Sequence, residues 1–85
     1  MTKIPQNTII EVQWLDTVTV SDWTSPEDID KATPVYAKTI GYYHGVKRIG
    51  GRIRWITVKH NLASDGNADY TIIPWGAVLK VEKVE

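Results

Sequence analysis

Eighty-five residues amount to one small domain, expected to span residues 1–85. A chain of this length hides only about 60 to 65% of the surface that its unfolded form exposes. Ten basic side chains balance ten acidic ones, so overall charge singles out no nucleic-acid or membrane partner. Cysteine is absent, which excludes a disulfide framework and a thiolate zinc site and predicts a reducing, cytoplasmic setting.

The N-terminal stretch Met-Thr-Lys-Ile-Pro-Gln-Asn lacks an apolar leader core, and no apolar run approaches about 18 residues. Neither a signal peptide nor a membrane span is expected. Residues 8–15 then alternate, with Ile10, Val12 and Trp14 on one face and Glu11 and Gln13 on the other, which is the period of a strand. A polar connection over residues 16–25 follows and, with the first few residues, is expected to be disordered. Ser25-Pro26-Glu27-Asp28 combines a capping serine, a proline suited to the first helical position and early carboxylates, so one or two helical turns are predicted. Pro34 ends them by forcing Thr33 out of the helical region.

Residues 35–44 read as a second strand with β-favouring side chains on both faces. Residues 45–51, Gly-Val-Lys-Arg-Ile-Gly-Gly, are expected to form a hairpin loop of several residues before a third strand over 52–60. In that strand Ile53 and Trp55 have one parity while Ile56 and Val58 have the other, so either both faces are covered or a bulge shifts the register. Ser64-Asp65-Gly66-Asn67 is a turn, residues 70–73 form a fourth strand stopped by Pro74, and a one-turn connection leads into a fifth strand over 77–84. Five short strands, one helical turn after the first and one tight turn before the last predict an all-β SH3-like or Sm-like barrel, with an OB-type barrel as the nearest competitor.

Charge is unevenly placed. No acidic residue lies between Asp30 and Asp65, whereas that stretch holds Lys31, Lys38, Lys47, Arg48, Arg52, Arg54 and Lys59. The first thirty residues carry Glu11, Asp16, Asp22, Glu27, Asp28 and Asp30 against Lys3. Tyr42, Tyr43, His44, Lys47, Arg48, Arg52 and Arg54 therefore form the candidate ligand site, because rings stack a base while cations hold phosphate oxygens. The bland alternative is a solvated hairpin whose charges blunt edge pairing, with Tyr43 in the core.

Trp14 and Trp55 fall in alternating strands and are expected in the core. Trp23 and Trp75 flank polar or turn segments and are candidate protein-interface anchors, or lids over the core. No serine stands in a nucleophile-elbow context, and the histidines are apart from the carboxylates, so neither catalytic residues nor a metal or other cofactor is expected. Asp65-Gly66-Asn67-Ala68-Asp69 spaces its oxygens like the start of a calcium loop, but Gly76 stands where the last, bidentate glutamate belongs, so an Asx turn is the better account.

The pattern Val12-x-Trp14-x-Asp16, then Trp23, Thr-Ile-Gly-Tyr at residues 39–42 and Ile-Pro-Trp-Gly-Ala-Val at residues 73–78 resembles small proteins encoded by bacteriophages and prophages. The resemblance covers most of the chain, although the middle hairpin of such proteins is often acidic and here is basic. It implies a small barrel acting as a counter-defence factor that sequesters a phosphate-bearing nucleotide immune signal in the cytoplasm of an infected bacterium. A homo-oligomer is expected, since a thin core gains from a subunit interface and acidic and basic regions can dock on one another. Two other functions compete: inhibition of a host enzyme through Trp23, Trp75 and residues 22–30, and binding of RNA or single-stranded DNA, which the neutral overall charge disfavours.

Overall fold

The computed structural model describes residues 3–16 and 23–84. The elements are β1 (Ile9–Asp16), α1 (Pro26–Lys31), β2 (Val35–Ile49), β3 (Arg52–Lys59), β4 (Tyr70–Pro74), a 3-10 turn (Trp75–Ala77) and β5 (Val78–Lys83). They form one antiparallel sheet in the order β4-β3-β2-β1-β5.

Alternation in β1 places Ile10 and Val12 in the core, fully buried. Trp14 follows in the same phase and packs against that core, its indole N–H donating to Thr39 Oγ1 across the ladder at 3.0 Å. Helix α1 starts as predicted: Ser25 Oγ accepts the Asp28 N–H at 3.2 Å, and Pro26 occupies the first turn. The predicted disorder of residues 17–22 and 1–2 lies outside the described residues. From Ile4 onward the N-terminal segment packs on the core, and Asn7 and Thr8 exchange backbone hydrogen bonds with Tyr43.

Strand β2 organises the molecule. It pairs with β1 up to Tyr42 and with β3 from Tyr42 to Ile49, so Tyr42 sits in both ladders, opposite Ile9 and opposite Lys59. At the handover the strands press together: a Cβ on Gly41 would lie 2.4 Å from the Lys59 carbonyl oxygen and 2.7 Å from Val58 Cγ1. Only glycine fits there. The expected loop of residues 45–51 is not a loop. Gly50 and Gly51, with φ of 62° and 80°, make the turn by themselves, and residues 45–49 extend β2. Two consecutive positive-φ residues are what a two-residue hairpin turn requires, and the twist it imposes matches the strands on either side.

A bulge accounts for the mixed parity of β3. Lys47 faces Trp55 but Arg48 faces Ile53, which leaves Arg54 unmatched; likewise Tyr43 faces Val58 but Gly45 faces Thr57, which leaves His44 unmatched. Beyond the Arg54 bulge, Ile56 and Val58 point into the core and are fully buried. The core of Ile10, Val12, Tyr43, Ile56, Val58 and Ile73 lies on one face of the sheet, bordered by Ile4, Trp14, Val46, Trp75, Val78 and Val81. Burying each large aliphatic chain contributes about 1.5 to 3 kcal/mol.

The predicted SH3-like or Sm-like barrel is not formed. The five strands are present, but the sheet is open, with β4 and β5 at opposite edges and unpaired with one another. The reason is the connection between them. The 3-10 turn packs Trp75 against the core and touches both β3 and β1, so the chain passes from one edge strand to the other with no ladder between β4 and β5. Strand number and turn length are readable in a sequence; whether two edges meet depends on curvature. The molecule is elongated, 50 × 29 × 25 Å, with a radius of gyration of 15.8 Å against about 12 Å for a compact chain of this size.

Candidate functional site

The face of the sheet opposite the core carries a patterned surface over β2, β3 and β4. The register sets three rows across these strands: Tyr42, Lys59 and Tyr70; then Gly45, Thr57 and Ile72; then Lys47, Trp55 and Pro74. The middle row begins with a residue that has no side chain and continues with a short one. A trench therefore runs between two rows of large residues. It is seen as two adjoining hollows that share His44 and Thr57. One, of about 330 Å³, is lined by Lys59, Gly66, Ala68, Tyr70 and Ile72, and the other, of about 320 Å³, by Gly45, Val46, Lys47 and Trp55.

His44 stands at the centre because the bulge frees it from the ladder. Its side chain is exposed, and Gln6 Nε2 lies 3.3 Å from both its Nδ1 and its carbonyl oxygen. On the other side of β2 His44 also lines a third hollow, of about 470 Å³, with Lys3, Gln6, Tyr43 and Arg48.

The residues predicted as one site are thus divided. Tyr42, His44 and Lys47 belong to the trench face, Tyr42 half-buried and the other two exposed. Tyr43 is 7% exposed and belongs to the core, so it offers no open ring face for stacking. Arg48 borders the third hollow, while Arg52 and Arg54 are exposed near the hairpin tip and line none of these hollows. Trp75 is half-buried against the core and serves as the lid, whereas Trp23 is 105% exposed.

Trp55, expected in the core, is outside it and forms one end of the trench. Lys59, Thr57, Tyr70 and Ile72 were not foreseen as site residues. The signal was available in part: Trp55, Thr57 and Lys59 share the parity opposite to buried Ile56 and Val58, so once those two are placed inside, the others must face out.

Electrostatics favour anions. Among the described residues the one ion pair joins Lys80 to Glu82 on β5, where the hydrogen bond and charge of Glu82 raise the lysine pKa above its ordinary value. Lys47, Arg48, Arg52, Arg54 and Lys59 are therefore not neutralised by any described carboxylate. The second histidine, His60, has Nε2 2.6 Å from Thr71 Oγ1, and among the described residues no carboxylate is bonded to either histidine. Asp65 closes the predicted Asx turn by accepting the Asn67 N–H at 2.9 Å.

No protein-family model matches the chain, and no curated protein and no solved structure is significantly similar to it.

Proposed function

We propose that this chain is a binding module, acting without turnover, that captures a small phosphate-bearing nucleotide in the trench across β2, β3 and β4. The observation that carries the proposal is the trench itself: a floor of Gly45 and Thr57 lies between two rows that each hold a lysine and an aromatic ring. The rows of Lys59 and Trp55 stand four residues apart, roughly 13 Å at about 3.3 Å per residue, a width suited to a nucleotide laid across the floor. Trp55 or Tyr70 stacks the base, which contributes about 1 to 3 kcal/mol. Lys47 and Lys59 attract the phosphate as point charges, in place of the paired arginine forks expected from sequence. The hollows are at the lower end of the size range of small-molecule sites, which favours one nucleotide unit over a long strand.

The motif likeness to phage proteins supplies a biological setting for such capture, the sequestration of a nucleotide immune signal in an infected bacterium. Isothermal titration with cyclic dinucleotides and ADP-ribose-derived signals tests the proposal. Saturable binding is expected, weakened about 5- to 150-fold by Trp55→Ala and weakened further by Lys47→Glu with Lys59→Glu. Absence of heat with every one of these ligands at saturating protein overturns it.

A further inference from the structure

We infer that α1 and the adjoining Trp23 dock on the tip of the β2–β3 hairpin of a second copy of this chain, reciprocally, in a two-fold dimer. The first support is the exposure of α1 among the described residues. The helix is six residues long, too short to persist in water on its own propensity, and none of its residues is buried. Apolar side chains lie open along this segment: Trp23 is fully exposed, Ile29 is 59% exposed, and Val35 and Tyr36 at the start of β2 are more than half exposed. A contiguous run of exposed apolar side chains rimmed by charge, as on this arm, marks an interaction surface.

Charge then selects the partner. Helix α1 presents Glu27, Asp28 and Asp30 against Lys31 alone, and the hairpin presents Lys47, Arg48, Arg52 and Arg54 with no acidic residue between them. Arm and hairpin tip sit at the two ends of β2, a strand of 15 residues with a contour of roughly 50 Å. Among the described residues no ion pair joins them within the chain. Each end is the electrostatic complement of the other, and between two antiparallel copies both complements are used at once. The tip also supplies apolar surface in Ile49, 49% exposed, and two guanidinium groups suited to lie over the Trp23 ring. A two-fold arrangement closes after two copies, whereas head-to-tail docking leaves one arm and one tip free at each end and propagates.

The dimer can be tested apart from the proposed nucleotide site, because Arg52 and Arg54, unlike Lys47, line neither trench hollow. Light scattering on the full chain at low ionic strength, where charges act over about 30 Å, should give twice the 9.6 kDa chain mass. Arg52→Glu with Arg54→Glu, and separately Glu27→Lys with Asp30→Lys, should each weaken dimerisation roughly tenfold or more, with thermal melts unchanged at high ionic strength where the chains are monomeric, since all four positions are exposed. Mixing the two variants should restore a dimer, because each then offers what the other lacks. A wild-type monomer under these conditions overturns the inference and leaves the arm to a different protein. So does a dimer indifferent to both reversals, a mixture that stays monomeric, or an assembly that grows beyond two copies.

Discussion

On β3, Ile56 and Val58 are fully buried, while Trp55, Thr57 and Lys59, their immediate neighbours in the chain, stand half-buried on the opposite face. The inner residues meet Ile10, Val12, Tyr43 and Ile73 across a close-packed interior; the outer ones border an open trench between Lys47 and Tyr70. One strand thus holds the fold together with every second side chain and offers a surface with the others. The two sets therefore answer to different measurements, stability on the inside and ligand affinity on the outside.

The strongest way to break this contrast is to empty the inside. Ile56→Ala removes a fully buried side chain from a small core and should cost about 2 to 5 kcal/mol, read from the urea midpoint. Should Trp55→Ala cost as much, the outer row would be structural and the trench would lose its claim to be a site. Gly41→Ala probes the seam between the two ladders of β2. Its new methyl would meet the Lys59 carbonyl oxygen, a backbone atom with little room to yield, so about 1 to 3 kcal/mol of destabilisation is expected. A neutral result there would mean that β2 and β3 are less tightly apposed at residues 41 and 59.

Much of this architecture was legible because local chemistry determined it. The capping serine and Pro26 give α1, Pro74 stops β4 one residue before the 3-10 turn, and alternation fixes which side of β1 is inside. What was hidden depended on partners distant in sequence. The bulges at His44 and Arg54 exist only in the pairing of two strands, and they decide that His44 is free of the ladder and that Ile53 falls out of phase with Trp55. Barrel closure failed for the same kind of reason, since it rests on where β4 and β5 lie relative to each other. The candidate cations were recognisable by their composition, but their division between trench, third hollow and hairpin tip was not.

The hairpin turn gives a smaller test. Gly50 and Gly51 both have positive φ and open space around a would-be Cβ, so Gly51→Ala meets no clash and pays only for its backbone conformation. A left-handed residue other than glycine costs roughly 1 to 2 kcal/mol, and the loss should appear in the urea midpoint. The trench lies further along the strands, so nucleotide affinity should hold while stability falls, which separates the tip from the site.

The smallest effect on folding is expected at the largest exposed ring. Trp23 is fully exposed and outside the core cluster, so Trp23→Ala should move the stability of the monomer by no more than about 0.5 kcal/mol, measured under dilute conditions at high ionic strength where the dimer is dissociated. The same variant at low ionic strength should lose dimer, because there the ring is covered by the hairpin tip of the other copy. The two conditions assign the tryptophan to different partners, solvent in one and a second chain in the other. Equal stability loss in both would place Trp23 against its own chain and remove the apolar half of the docking argument, leaving only the charges.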